Sequence, residues 1–169
     1  LYIVNISTPA PANWFLEEIK NFSGCVHPNA TVKTEFGICW VNKYGIFLYN
    51  GSDVTNLLTN RIKESTWQTF FNDATILGYN PRKFYLVILK NCFSDDGDVI
   101  IYDFRTRSFV KGAAAFDSNV NRSNMVSDWN GNMVTTYQNA LTGDQIWSVA
   151  TGSWTSYTSG TWGADILTI

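Results

Sequence analysis

Residues 36–57, FGICWVNKYGIFLYNGSDVTNL, constrain the fold more than any other part of the chain. Two apolar runs, 37–41 and 45–49, flank the polar turn Asn42-Lys43-Tyr44, and Asn50-Gly51-Ser52 closes the second run. Runs this short, rich in β-branched and aromatic residues, fit paired antiparallel strands rather than helices. Asn-Gly is a strong hairpin signal because both residues tolerate the positive φ of a tight turn.

The pattern returns twice downstream. A second copy places strands at 75–79 and 83–89 about the turn Asn80-Pro81-Arg82. Pro81 fixes φ for the turn and pushes Asn80 toward extended geometry. The polar loop 91–98, a strand at 99–103, the turn 104–106 and a strand at 107–110 complete that copy. A third copy places strands at 125–129 and 132–137 about Asn130-Gly131, then strands at 145–150 and 154–158 about Thr151-Gly152-Ser153. First-hairpin turns fall at Asn42, Asn80 and Asn130, and second-hairpin markers at Tyr49-Asn50, Tyr102-Asp103 and Trp147. The period of roughly 40 to 50 residues is that of four-stranded propeller blades. A β-sandwich with evenly spaced hairpins is the competing architecture.

Two segments break the strand rhythm. Residues 13–21 (NWFLEEIKN) read as a short helix or an irregular crossover. Residues 59–71 (TNRIKESTWQTFF) predict an amphipathic helix inserted after the first blade, with Trp67, Phe70 and Phe71 as core filling.

At 169 residues the chain is one domain or part of one. Apolar residues, at 45%, suffice for a core, whereas charged residues reach only 15%, below the usual share of about 25%. Solubility then rests on Asn, Ser and Thr, and the surface suits packing against neighbours. A net charge of −2 steers nothing toward nucleic acid or an anionic membrane. No apolar run approaches the length of about 18 residues that a membrane helix needs, and no secretory-type leader opens the sequence. Residues 1–6 read as a strand. Three widely spaced cysteines, Cys25, Cys39 and Cys92, without a CxxC, fit neither a disulfide framework nor a zinc site and suit a reducing compartment. Five Asn-x-Ser/Thr sequons, at Asn5, Asn21, Asn29, Asn50 and Asn121, are expected by chance in a chain of this composition.

Chemistry-bearing motifs are sparse. His27 is the lone histidine, in the loop Val26-His27-Pro28-Asn29, with no nucleophile motif beside it. GxSxG, HExxH, P-loop and GxGxxG patterns are absent from the sequence. Ser94-Asp95-Asp96-Gly97-Asp98 could offer oxygens to calcium. Its spacing matches neither an EF-hand loop, which needs a closing Glu, nor the Asp-box of sialidase-like propellers, whose glycine falls one place later. A solvated hairpin loop is the preferred reading. Carboxylates on different blades could converge for glycoside hydrolysis, but no pair is singled out. Trp147, Trp154, Tyr157 and Trp162 could stack on sugars, yet Trp147 and Trp154 flank a turn as a cross-strand core pair would. No catalytic, cofactor-binding or metal-ligating residue is assigned.

The sequence also reads as part of a larger array. It starts at Leu1 inside an expected strand, and residues 162–169 look like the start of another. Three blades cannot close a ring, since propellers need about four to eight. Further blades are expected from flanking sequence, or a cap from another chain.

A family resemblance adds to this. The run Leu1-Tyr2-Ile3-Val4-Asn5-Ile6, then Trp14-Phe15-Leu16-Glu17, Gly24, residues 34–42 (TEFGICWVN) and residues 44–51 (YGIFLYNG) resemble propeller proteins of tailed-phage virions, of the tail-nozzle or DNA-stabilising neck type. Gly78-Tyr79-Asn80-Pro81-Arg82-Lys83 and Ile100-Ile101-Tyr102-Asp103 are similar to the following blade. The likeness covers most of residues 1–112 and fades toward the C-terminus. The family usually has Asp before the turn glycine where Asn50 stands here; either suits the turn.

The expected fold, from the repeat and the resemblance together, is an all-β, propeller-like array of antiparallel blades with a short inserted helix, part of a larger propeller. The expected organisation over 1–169 is a blade end and crossover at 1–35, a blade at 36–58 with a helical insertion at 59–72, a blade at 73–112 and a blade at 123–169. The implied role is a non-catalytic wall of the DNA passage in a virion assembled in the host cytoplasm. Its partners would be copies of itself in a ring and other tail or portal-proximal proteins. DNA would pass without specific binding, and neither cofactor nor membrane is involved. A carbohydrate-binding receptor-recognition propeller is the alternative, and a glycoside hydrolase of propeller fold the second alternative.

Overall fold

The computed structural model describes residues 2–19, 24–92, 97–113, 120–139 and 163–167. The protein is all-β: among the described residues the strands form four open antiparallel sheets, joined by one short α-helix. The chain divides into two compact units, Leu1–Asp73 and Ala74–Ile169.

In the first unit β1 (Tyr2–Asn5) pairs with β2 (Phe15–Ile19), Tyr2 opposite Ile19, with a bulge between Ile3 and Val4. The segment expected as a helix or crossover is therefore largely strand. A single 3-10 turn, Pro11–Asn13, leads into it, and the Trp14 indole donates to the Thr8 carbonyl at 3.0 Å. The segment's aromatic and β-branched residues gain by pairing with β1.

Four consecutive strands follow: β3 (Thr31–Thr34), β4 (Gly37–Asn42), β5 (Gly45–Tyr49) and β6 (Val54–Asn56), lying side by side in sequence order. Period-two alternation puts Cys39 opposite Leu48 and Val41 opposite Ile46 on one face, and Trp40 opposite Phe47 on the other. Cys39, Trp40, Val41, Ile46 and Phe47 are all buried, so both faces of the central strands are covered. The helix α1 (Glu64–Phe70) is shorter than the expected 59–71. It buries Trp67 and Phe70, and Trp67 stacks on Phe70 at 5.8 Å between ring centroids.

The second unit opens with another four-strand meander: β7 (Ile76–Asn80), β8 (Tyr85–Leu89), β9 (Val99–Asp103) and β10 (Ser108–Gly112). On one face Ile76, Val87, Leu89 and Val99 form a cluster with Cys92. The other face carries an aromatic group in which Tyr102 meets Phe109 at 4.7 Å and Phe104 at 5.0 Å. The fourth sheet, β11 (Val120–Ser127), β12 (Met133–Asn139) and β13 (Gly163–Leu167), sends Met125 and Met133 into the Ile76 cluster. Gly78 makes room for them: a Cβ there would lie 2.6 Å from the Met125 Cβ. The Ser127 hydroxyl also donates to the Tyr79 carbonyl at 2.8 Å, and Arg122 N–H to the Cys92 carbonyl at 2.8 Å. The strands expected at 145–150 and 154–158 lie outside the described residues.

Most of the hairpin turns are closed by a short polar side chain that accepts a backbone N–H. Thr34 Oγ1 takes Phe36 N–H, Asn42 Oδ1 takes Tyr44 N–H, and Asn50 Oδ1 takes Ser52 and Asp53 N–H. In the second unit Asn80 Oδ1 takes Arg82 and Lys83 N–H, Asp103 Oδ1 takes Arg105 N–H, and Asp128 Oδ1 takes Asn132 N–H. The abundance of Asn, Ser and Thr thus has a turn-forming role as well as a solvating one.

One expectation about the repeat is corrected. Asn42 joins the second and third strands of its sheet, whereas Asn80 joins the first and second of its own. They are not equivalent first-hairpin turns. The positions that correspond are Asn50 and Asp103, at the turn between the third and fourth strands of each sheet. The sequence reading started the first sheet one strand late because β3 is four residues long and largely polar.

Candidate functional site

Of the residues singled out from sequence, His27, Gly97 and Asp98 are among those described. His27 is half-buried and precedes the 3-10 turn Pro28–Ala30, where its carbonyl accepts Ala30 N–H at 3.0 Å. Of the acidic loop, Gly97 and Asp98 are described and the three residues before them lie outside the described set. The Asp98 carboxylate stands 3.9 Å from Lys111 Nζ, and its carbonyl accepts Lys90 N–H. Trp147, Trp154, Tyr157 and Trp162 also lie outside the described residues. Among the described residues, no three His, Cys, Asp or Glu side chains are grouped as metal ligands would be, and no helix is long and apolar enough to cross a membrane.

The described cysteines are all free. Cys25 is exposed, while Cys39 and Cys92 are buried. Burial pushes the Cys39 thiol up to about 12, against a smaller opposing pull from Thr34, and burial also raises Cys92. A thiol so protonated is a packing group and not a nucleophile.

Asp103 and Asp128 both sit below the ordinary carboxylate range. Partial desolvation raises each, but other contacts outweigh it: at Asp103 hydrogen bonds from the N–H groups of Arg105 and Thr106 and from the Thr106 hydroxyl, with the nearby Arg105 charge, and at Asp128 hydrogen bonds from Asn132 and from the N–H groups of Asn130 and Gly131. These carboxylates are turn fasteners, committed to the backbone.

The first unit has a cleft of about 290 Å³. Its walls are Trp40, Tyr49 and Ile38 from β4 and β5, with Tyr2 from β1 and Cys25 and Thr31 at the side. Trp40 stacks on Phe47 at 5.7 Å, 17° from parallel, and its indole N–H is buried without a hydrogen-bond partner. The Tyr49 hydroxyl donates to the Gly51 carbonyl at 2.8 Å. Among the described residues no carboxylate or imidazole lines the cleft, and its described walls suit contact with an apolar or aromatic body. Sequence reasoning missed it. The available signal was the alternation of Ile38 and Trp40 opposite Tyr49 and Phe47, which puts four large side chains on one face.

A comparison with protein-family models and another with curated proteins each find no match.

Proposed function

We propose that this chain is a non-catalytic structural module of a phage tail or neck, built as part of a propeller. The observation that carries the reading is the strand order: two successive four-stranded sheets, each a strict meander, followed by a third antiparallel sheet. A Greek-key sandwich routes consecutive strands between its two sheets. A blade array instead completes one sheet before starting the next. The likeness of residues 1–112 to virion propellers supplies the biological setting.

In this reading the sheets form a rigid wall. Turns held by Asn and Asp side chains present loops to neighbouring subunits, and the assembly retains or conducts DNA. A net charge of −2 suits a passage that does not adhere to its cargo. Electron microscopy of the native particle tests it: a ring of copies on the tail axis is expected, and density confined to fibre tips or absence from the particle overturns it.

The aromatic cleft favours a second reading, a carbohydrate-binding module in which Tyr2 or Tyr49 stacks on a sugar face. A glycan array separates the two, because a wall module binds none.

A further inference from the structure

The protein has two Asn-Gly pairs in turns, and the structure treats them in opposite ways. Asn-Gly is chemically labile because a glycine N–H without side-chain shielding can attack the preceding side-chain amide. At Asn130-Gly131 the nucleophile is tied down. Gly131 N–H donates to the Asp128 carbonyl at 3.0 Å and also to its carboxylate, and the Arg82 side chain packs over the glycine so closely that no Cβ would fit.

At Asn50-Gly51 everything is reversed. Gly51 has open space around it, with no atom within 4 Å of where a Cβ would point. Its φ of +107° is a conformation that side-chain-bearing residues rarely adopt. Among the described residues its N–H makes no backbone hydrogen bond, and its carbonyl is held by the Tyr49 hydroxyl at 2.8 Å. The Asn50 side-chain oxygen accepts Asp53 N–H at 2.8 Å and Ser52 N–H at 3.0 Å, and the Ser52 hydroxyl, 3.1 Å away, divides its one proton between this oxygen and the Asp53 carboxylate at 3.2 Å. Donors converging on a carbonyl oxygen stabilise the negative charge it acquires when a nucleophile adds to its carbon.

We propose that Asn50 is a self-modifying site at which the turn promotes its own deamidation. The Gly51 nitrogen attacks Asn50 Cγ and gives up its proton to water. The two N–H groups, with the Ser52 hydroxyl when it turns to Asn50, hold the charge on Oδ1 in the tetrahedral intermediate; Nδ2 takes up a proton from water, the Cγ–Nδ2 bond breaks, and ammonia leaves. Water then opens the cyclic imide at either carbonyl, producing Asp or isoaspartate. The Asp product keeps the turn, because Oδ1 remains an acceptor, as the Asp103 carboxylate already is in the equivalent turn of the second unit. The isoaspartate product routes the backbone through Cγ and lengthens the turn. Either product adds one negative charge to a chain of net −2.

The test is peptide mass spectrometry of the folded protein after incubation at mildly alkaline pH, with a parallel sample in urea. Amide-to-acid conversion is expected at Asn50 several-fold faster than at Asn130 in the folded protein, and at similar rates in urea. Ser52→Ala, which removes one donor from an exposed turn, slows conversion at Asn50 without changing Asn130. Equal rates at the two sites in the folded protein overturn the proposal. So does an Asn50 that converts more slowly folded than in urea, or a Ser52→Ala protein that converts as fast as its parent.

Discussion

The indole N–H of Trp67 donates a 2.8 Å hydrogen bond to the backbone carbonyl of Asn42, joining the helix to the end of a central strand. Both partners are buried. Trp67→Phe keeps most of the ring but loses that hydrogen bond, and a loss of about 0.5–1.5 kcal/mol is expected. Trp67→Ala adds a cavity, for about 3–5 kcal/mol. Urea titration checks both, as a lower midpoint at unchanged slope.

Asn42 does more than close its own turn. Its Oδ1 accepts Tyr44 N–H at 2.8 Å while its Nδ2 donates to the Gly24 carbonyl at 2.6 Å. Asn50 uses its oxygen as an acceptor at an exposed position. The same change should therefore have different effects at the two sites. Asn50→Asp is expected to alter stability by no more than about 0.5 kcal/mol. Asn42→Asp faces the Gly24 carbonyl with an acceptor in a buried site and is expected to cost about 2 kcal/mol or more. Chemical denaturation of the two variants side by side tests the contrast.

Gly78 has ordinary negative-φ strand geometry available to alanine, so only space opposes the substitution. The Met125 Cβ belongs to a strand and cannot swing aside, whereas the Met133 methyl can. Gly78→Ala is expected to cost about 1–3 kcal/mol by overpacking. Pairing it with Met133→Ala should recover part of that, as a non-additive double-mutant cycle measured by thermal or urea unfolding.

Cys39 carries a pH signature. Its thiol ionises from 9.0 in the unfolded chain but only near 12 when folded. The folded value is the raised one, so this contribution is complete below pH 9 and is lost as pH climbs from 9 toward 12. The full loss is on the order of 4 kcal/mol. Cys39→Ala should flatten the alkaline limb of a stability profile. Alkylation of the native protein near neutral pH should label Cys25 and spare Cys39 and Cys92.

Much of the sheet structure was legible because it is local. β5 and β9 fall where alternation and turn residues placed them, at Gly45–Tyr49 and Val99–Asp103. What escaped was set by partners distant in sequence. Phe15–Ile19 is a strand because Tyr2–Asn5 lies beside it, and no window around residue 15 contains that fact. β6, at three residues, is too short for any periodicity and exists through its pairing with β5. The Trp40 cleft needs β1 brought over the sheet, which residues 36–57 alone cannot reveal.

Because each strand of the two four-stranded sheets pairs with its immediate successor, neither sheet waits for a distant segment to arrive. Loop closure is short throughout, which favours rapid folding for an all-β chain. A nascent polypeptide emerging from the ribosome could complete the first sheet before the second has been synthesised, limiting the time during which bare strand edges meet other chains.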